Sequence, residues 1–242
     1  AVLLNARYRC NELKYVVANA DLRILLTTSR FHEHVDFCAL LHETYPELKN
    51  AVNPTALDLE EAPFLRSIVL FESTGRDGFL ANDTFSKFSE SISQKQLTQR
   101  RIGASLRAPC LMMYTSGTTS QPKGCRLSHE AIVRNAAAEN ASFEMNEEDC
   151  IWDPLPMFHM AAILPLLAGM WSGATYLTDT FFDSQTALRQ IYSEQPTILF
   201  PAFPAIMSDL IAEADFDARK LQRVRLINNV APSERLRENM RT

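Results

Sequence analysis

Apolar residues recur along this chain with alternating helical and strand periods. Leu13, Val16, Val17 and Ala20 lie at helical spacing and predict a helix from about Asn11 to Asn19, followed by a short apolar strand, Ile24 to Thr28. A second helical stretch is predicted from Phe31 to Tyr45, with Val35, Cys38 and Leu41 on one face, and a buried strand from Ser67 to Phe71. From Glu72 to Ala108 the pattern turns polar. Phe85, Phe88 and Ile92 are spaced for one small amphipathic helix there, and Ser93 to Arg107 reads as an exposed connection.

The alternation resumes after a short apolar run, Leu111 to Met113. Ser128 is placed to cap a helix running to about Ala141, and Ile151-Trp152 ends a strand. Next come a helix from Met160 to about Trp171, a strand from Gly173 to Thr178, and a helix from Ser184 to Ser193 capped by Asp183. A strand from Pro196 to Phe200, a helix from Phe203 to Ala214 with Ile206, Leu210 and Ile211 inward, and a strand from Val224 to Ile227 close the series. The fold class is therefore α/β, with mostly parallel sheets flanked by helices. Subdomain-like halves are expected at about 1–150 and 151–242.

Composition changes this picture little. The chain has 242 residues, enough to bury a sizeable core, with 46% hydrophobic and 22% charged residues. A formal charge of −5 gives no footprint for wrapping a nucleic acid. The five cysteines are widely spaced and form no C-x-x-C pair, which argues for a reducing, cytoplasmic setting and against a disulfide frame or zinc site. The longest apolar run, Leu155 to Trp171, is interrupted by Pro156, His159 and Pro165 and is short for a membrane span. No transmembrane segment or signal peptide is expected, and both ends of the sequence read as cut. His32, His34 and His42 lack a second cluster to complete a tetrahedral site, so they read as a solvated face and no metal ligand is assigned.

Two stretches carry candidate chemistry. Tyr114-Thr115-Ser116-Gly117-Thr118-Thr119-Ser120-Gln121-Pro122-Lys123-Gly124 follows the apolar run with a dense set of hydroxyls, backbone N–H groups and one cation, a surface suited to a polyphosphate. A Walker-type loop requires its lysine directly after the second glycine, whereas Lys123 precedes Gly124. The helix capped by Ser128 would bring a positive dipole end nearby, while Arg126 reads as a surface residue. In Asp149-Cys-Ile-Trp-Asp-Pro-Leu-Pro-Met-Phe-His-Met160, two prolines force an extended turn that presents Phe158 and His159.

These stretches resemble a known family. Tyr114 to Gly124 looks like the phosphate-loop signature of the adenylate-forming superfamily, which includes acyl-CoA synthetases, luciferases and peptide-synthetase adenylation domains. Pro154-Leu-Pro-Met-Phe-His159 is similar to the acyl-pocket motif of acyl-CoA synthetases and luciferases. The segment Asn5 to Thr27 resembles the region of acyl-CoA synthetases where a phrase matched here by Asn5, Arg7, Tyr8, Glu12, Leu13 and Tyr15 precedes a buried strand. Asn228-Asn229-Val230-Ala231-Pro232 resembles the family's glycine-rich adenine turn. Asn229 and Val230 stand where glycines are preferred there, and β-branched Val adopts positive φ poorly, which implies a different turn shape or a looser adenine contact.

The resemblance implies a truncated N-terminal, AMP-binding domain of an acyl-CoA synthetase. Its substrates would be a small-molecule carboxylic acid, ATP and CoA, with Mg²⁺. It implies that Thr115, Ser116, Gly117, Thr118, Thr119 and Lys123 hold phosphates, that Asn229, Val230, Ala231 and Pro232 hold adenine, that His159 acts in catalysis by orienting the acid, and that Phe200 lines the acyl pocket. An Mg²⁺-holding glutamate motif, a ribose-holding Thr-Gly-Asp motif and a C-terminal lid domain with a catalytic lysine are expected beyond Thr242. The chain alone is then expected to be inactive. Two other readings stay open: an adenylating enzyme that loads a carrier protein or resembles luciferase, and a non-catalytic scaffold that keeps the fold.

Overall fold

The computed structural model describes residues 1–31, 35–72, 76–115 and 121–229. The chain packs as two compact units: residues 1–108 with 114–126, and residues 109–113 with those from 127 onward.

The first unit opens with β1 (Val2–Leu3), α1 (Cys10–Asn19), β2 (Ile24–Thr27), a hairpin of β3 (Arg30–Phe31) and β4 (Val35–Asp36), and α2 (Phe37–Thr44). The 3₁₀ turn Pro46–Asn50, β5 (Ser67–Leu70) and β6 (Leu80–Ala81) follow. Strands β2, β5 and β6 form a parallel sheet in that order, with Ile24 opposite Ser67 and Leu70 opposite Ala81. All four residues of β5 are buried, as a central parallel strand requires. Leu13 and Val17 from α1 and Cys38 and Leu41 from α2 pack with Ile68 and Leu70 in one core.

Three expectations change here. Helix α2 begins only at Phe37, because the Asp36 carboxylate accepts the Ala39 N–H at 2.8 Å and caps it, leaving Val35 in a strand. The predicted amphipathic helix is the short α3 (Asn82–Lys87) followed by a 3₁₀ turn, Phe88–Ser91, and neither has a buried residue. Phe88 and Ile92 are exposed, so their spacing reflects no inner face. The expected connection contains α4 (Gln94–Ile102), where Ser93 and Gln96 form a reciprocal capping box.

The chain then runs through β7 (Pro109–Thr115) and β8 (Lys123–Ser128), which form a three-stranded sheet with β1 in the order β1-β7-β8.

The second unit continues with α5 (His129–Phe143), β9 (Cys150–Trp152), α6 (Met160–Ser172), β10 (Thr175–Leu177), α7 (Ser184–Glu194), β11 (Ile198–Ala202), α8 (Pro204–Ala212) and β12 (Leu226–Asn229). Four parallel strands lie in the order β10-β9-β11-β12. The chain leaves β9 toward one side to make β10 and returns past it to make β11. Right-handed crossovers in opposite directions put helices on opposite faces. Side-chain alternation agrees: Ile151, Ile198 and Phe200 pack with Ala168 of α6, whereas Trp152 and Leu199 pack with α7 and α8.

Element ends in this unit follow identifiable chemistry. The Ser128 hydroxyl accepts the Ala131 N–H and the Asp183 carboxylate accepts the Thr186 N–H, as expected of caps. Gly173 is the left-handed C-cap of α6, with φ 79°, rather than the start of a strand. In α8 the buried residues are Met207 and Leu210, while Ile211 is exposed. Strand β12 begins later than expected and contains Asn228 and Asn229, which the family resemblance placed in the adenine turn. Among the described residues no helix is long and apolar enough to cross a membrane.

Candidate active site

The ends of β7 and β8 flank the candidate phosphate loop. Tyr114 donates its hydroxyl proton to Asn19 Oδ1 at 2.7 Å, which ties the end of β7 to the last turn of α1. Thr115 is the final residue of β7 and is exposed; Lys123 opens β8 and is exposed too. Ser116, Gly117, Thr118 and Thr119 lie outside the described residues. One expectation is corrected by chain geometry. Strand β8 separates Lys123 from the Ser128 cap, and six residues at about 3.3 Å each carry the α5 N-terminus well past the reach of a helix-end dipole.

In the second unit, the crossing from β10 past β9 to β11 makes the C-terminal end of β9 the point where the winding reverses. Open α/β sheets bind ligands at such a point. The segment leaving β9 there is Asp153 to His159. Its two prolines keep it extended, and the His159 N–H closes the turn on the Pro156 carbonyl at 2.9 Å. His159 is the N-cap of α6, where its own carbonyl accepts the N–H groups of Ala162 and Ile163 at 3.1 and 3.2 Å. Its ring is exposed, lies 4.6 Å from the Phe158 ring centroid, and makes no hydrogen bond among the described residues. It is thus presented at the strand end with both nitrogens available to an incoming group.

Beside that point lies the end of β11. The strand register shifts between Leu199 and Ala202, and Ala202 is buried with φ 54°, a left-handed backbone that costs an alanine about 1 kcal/mol or more. Ala202 packs with Leu155 and Ala162, so the irregular strand end, the proline segment and the first turn of α6 share one small core. Phe200 is not at the open end. It is buried in mid-strand on the α5/α6 face, edge-on to Phe143 at 6.2 Å. Asn229 ends β12 opposite Ala202. Val230, Ala231 and Pro232 lie outside the described residues.

Sequence reasoning missed two polar constellations in this unit, one at each end of its parallel strands. Asp153 is fully buried; one oxygen accepts the Leu155 N–H at 2.8 Å and the other lies 2.9 Å from the Tyr176 hydroxyl. Burial pushes this carboxyl up more strongly than those two bonds pull it down, and Glu139 adds to the rise, to about 7. The signal in the sequence was an acid between Trp152 and Pro154 in an otherwise apolar stretch. The second is Arg225, just before β12, which pairs with both oxygens of buried Asp149, just before β9, at 2.9 and 2.6 Å. It also donates to the carbonyls of Phe143 and Glu144 at the end of α5. Among the described residues no group of three or more His, Cys, Asp or Glu side chains is placed to hold a metal ion.

Comparison with known proteins is consistent with this layout. The model of the AMP-binding enzyme family matches residues 1–241. The mitochondrial medium-chain acyl-CoA ligase ACSF2 of Mus musculus is 27% identical over 245 residues, which is 98% of this chain and 39% of that protein. The chain thus spans about two fifths of the length of the curated relatives it matches. Among solved structures, the anthranilate CoA ligase AuaEII in complex with anthranoyl-AMP has a TM-score of 0.73 and 20% identity, covering 96% of this chain and 40% of that one. A Mycobacterium tuberculosis fatty acyl CoA synthetase has a TM-score of 0.70 and 21% identity, covering 100% and 41%.

Proposed function

The chain belongs to the AMP-binding enzyme family, and from that premise we propose that its parent protein activates a carboxylic acid with ATP and passes the acyl group to CoA. The observation that carries this reading is the Pro154–His159 segment at the switch point of the second sheet, with an exposed His159 ring at its tip. In the first step a carboxylate oxygen attacks the α-phosphorus of ATP, pyrophosphate leaves, and an acyl-adenylate forms. In the second the CoA thiolate attacks the acyl carbonyl and AMP leaves with the bonding electrons.

The protein's part in adenylation is to align the acid and to neutralise charge on the phosphates. Thr115, Ser116, Gly117, Thr118, Thr119 and Lys123 hold the β- and γ-phosphates, and His159 orients the carboxylate. Asn229, Val230, Ala231 and Pro232 face adenine. Phe200, buried on the α5/α6 side, backs the acyl pocket from within the core. Mg²⁺ neutralises triphosphate charge when bound. In this reading a glutamate for that ion, a ribose-holding aspartate and a lid lysine would come from parts of the parent outside these 242 residues, which would form a truncated N-terminal domain.

Trapping activated acid as hydroxamate tests this reading. With ATP, Mg²⁺, hydroxylamine and a mixture of fatty and aromatic acids, the parent protein is expected to give ATP-dependent hydroxamate and the 242-residue chain none above background. No product from the parent overturns the reading, and robust product from the chain alone overturns the assignment of missing parts.

A further inference from the structure

The Tyr176 hydroxyl stands between two acceptors, Asp153 Oδ2 at 2.9 Å and the Ala162 carbonyl at 3.1 Å. A phenol has one proton, and a backbone carbonyl only accepts. Both short contacts are full hydrogen bonds only if Asp153 supplies the second proton. We infer that Asp153 and Tyr176 form a positioning pair, in which the Asp153 carboxylic acid donates to Tyr176 and Tyr176 donates to the Ala162 carbonyl, fixing the first turn of α6 and with it His159.

The surroundings favour the protonated acid. Asp153 is enclosed between β9, β10 and the start of α6, and its own N–H continues the sheet by donating to Leu177 at 2.9 Å. Helix α6 and strand β11 contain no charged residue, and Trp152 and Pro154 flank the acid on its own segment. Among the described residues the ionisable groups facing it are Tyr176 on β10 and Glu139 on α5, and neither offers a positive charge. Burial raises the Tyr176 phenol too, so its proton stays on the ring oxygen.

The bond to Ala162 matters because α6 begins weakly. His159 gives no side-chain cap, and Pro165 lacks the N–H that would reach the Ala161 carbonyl. Tyr176 therefore anchors from β10 a turn that the helix holds poorly by itself. When Asp153 ionises, the carboxylate becomes the stronger acceptor, the Tyr176 proton turns to it, and Ala162 loses its partner. Looseness in that turn is passed to His159. The consequence for acid activation rests on the proposed function, whereas the pair itself does not.

Amide hydrogen exchange of the 242-residue chain, without substrate, tests the pair. Exchange at Ala162 and Ile163, corrected for the intrinsic rate at each pH, is expected to quicken roughly three- to tenfold in the wild type between pH 5.5 and pH 8.5, the equivalent of one neutral hydrogen bond. Asp153→Asn keeps an N–H donor toward Tyr176 at every pH and is expected to remove that change. Tyr176→Phe is expected to show the quick exchange at both pH values. Wild-type exchange that does not change with pH overturns the pair, as does an unchanged pH response in Asp153→Asn. If Asp153→Asn fails to fold, the wild type and Tyr176→Phe decide it: slow exchange in Tyr176→Phe at pH 5.5 contradicts the anchor. A negative hydroxamate result leaves this outcome untouched, and the reverse holds as well.

Discussion

Arg225→Ala is expected to lower the unfolding free energy of the chain by about 3–5 kcal/mol. The Asp149 carboxylate is 3% exposed and depends on Arg225 for two of its bonds. Thr197 and the Asn146 N–H supply the others. Deleting the guanidinium leaves a buried charge without its counter-charge and takes donors from the last carbonyls of α5. Burial alone would raise the Asp149 carboxyl; the bonds from Arg225, Thr197 and Asn146 outweigh it and hold the group at about 2. Its folded pKa lies below the unfolded value of 3.8, so the stabilisation is present above pH 4 and is lost as pH falls through about 2. The wild type should lose on the order of 2 kcal/mol along that limb, and Arg225→Ala should lose far less. Urea unfolding from pH 2 to 6 measures both; a loss under about 1 kcal/mol in the variant at pH 6 would show the pair to be unimportant.

Asp153 is expected to give the opposite pH limb. Its folded value, about 7, lies above the unfolded 3.8, so folding takes up a proton between the two. Stability is therefore fully present below pH 4 and declines as pH rises to about 7, by on the order of 4 kcal/mol, after which this group adds no further slope. Together the two aspartates place maximum stability near pH 4, unusually acid for a protein in which ionised carboxylates normally stabilise the fold. Asp153→Asn is expected to flatten the decline between pH 4 and 7 while leaving the Asp149 limb intact. Unfolding free energies that rise through this range in the wild type, or a decline that survives in Asp153→Asn, contradict the assignment.

Much of the second unit was legible because its signals are local. Ser128 and Asp183 announce helices by side-chain chemistry that acts over three residues, and the apolar runs of β9 and β11 are long enough to mark buried strands. The first unit misled where two local signals competed. The periodicity of Val35, Cys38 and Leu41 suits a helix, yet Asp36 caps one inside that stretch and fixes its start at Phe37. Ser93 and Gln96 carried a capping-box signal within a segment whose polarity suggested a loop. For Phe200, the sequence locates the strand but not which face an odd or even position takes, and parity put the ring in the core.

The site divides in the same way. Tyr114 to Gly124 stands out as a candidate because its hydroxyls, glycines and lysine are contiguous in the chain. The Asp153–Tyr176 and Asp149–Arg225 pairs join residues 23 and 76 positions apart. They meet through the parallel register that sets Tyr176 beside Ile151 and through the placement of β12 at the sheet edge, neither of which a single sequence displays. Such groups reach sequence reasoning only as anomalies, an acid in an apolar stretch or an arginine just before a strand.

That Tyr114 to Gly124 clamps the pyrophosphate side of ATP is tested most directly by calorimetric titration of ATP and of AMP into the chain and its Lys123→Ala variant. ATP is expected to bind more tightly than AMP to the wild type. Lys123→Ala is expected to weaken ATP about tenfold or more, the scale of a lost charge-assisted contact, and to leave AMP unchanged. Equal affinity for the two nucleotides, or an ATP affinity that survives the loss of Lys123, would contradict the clamp.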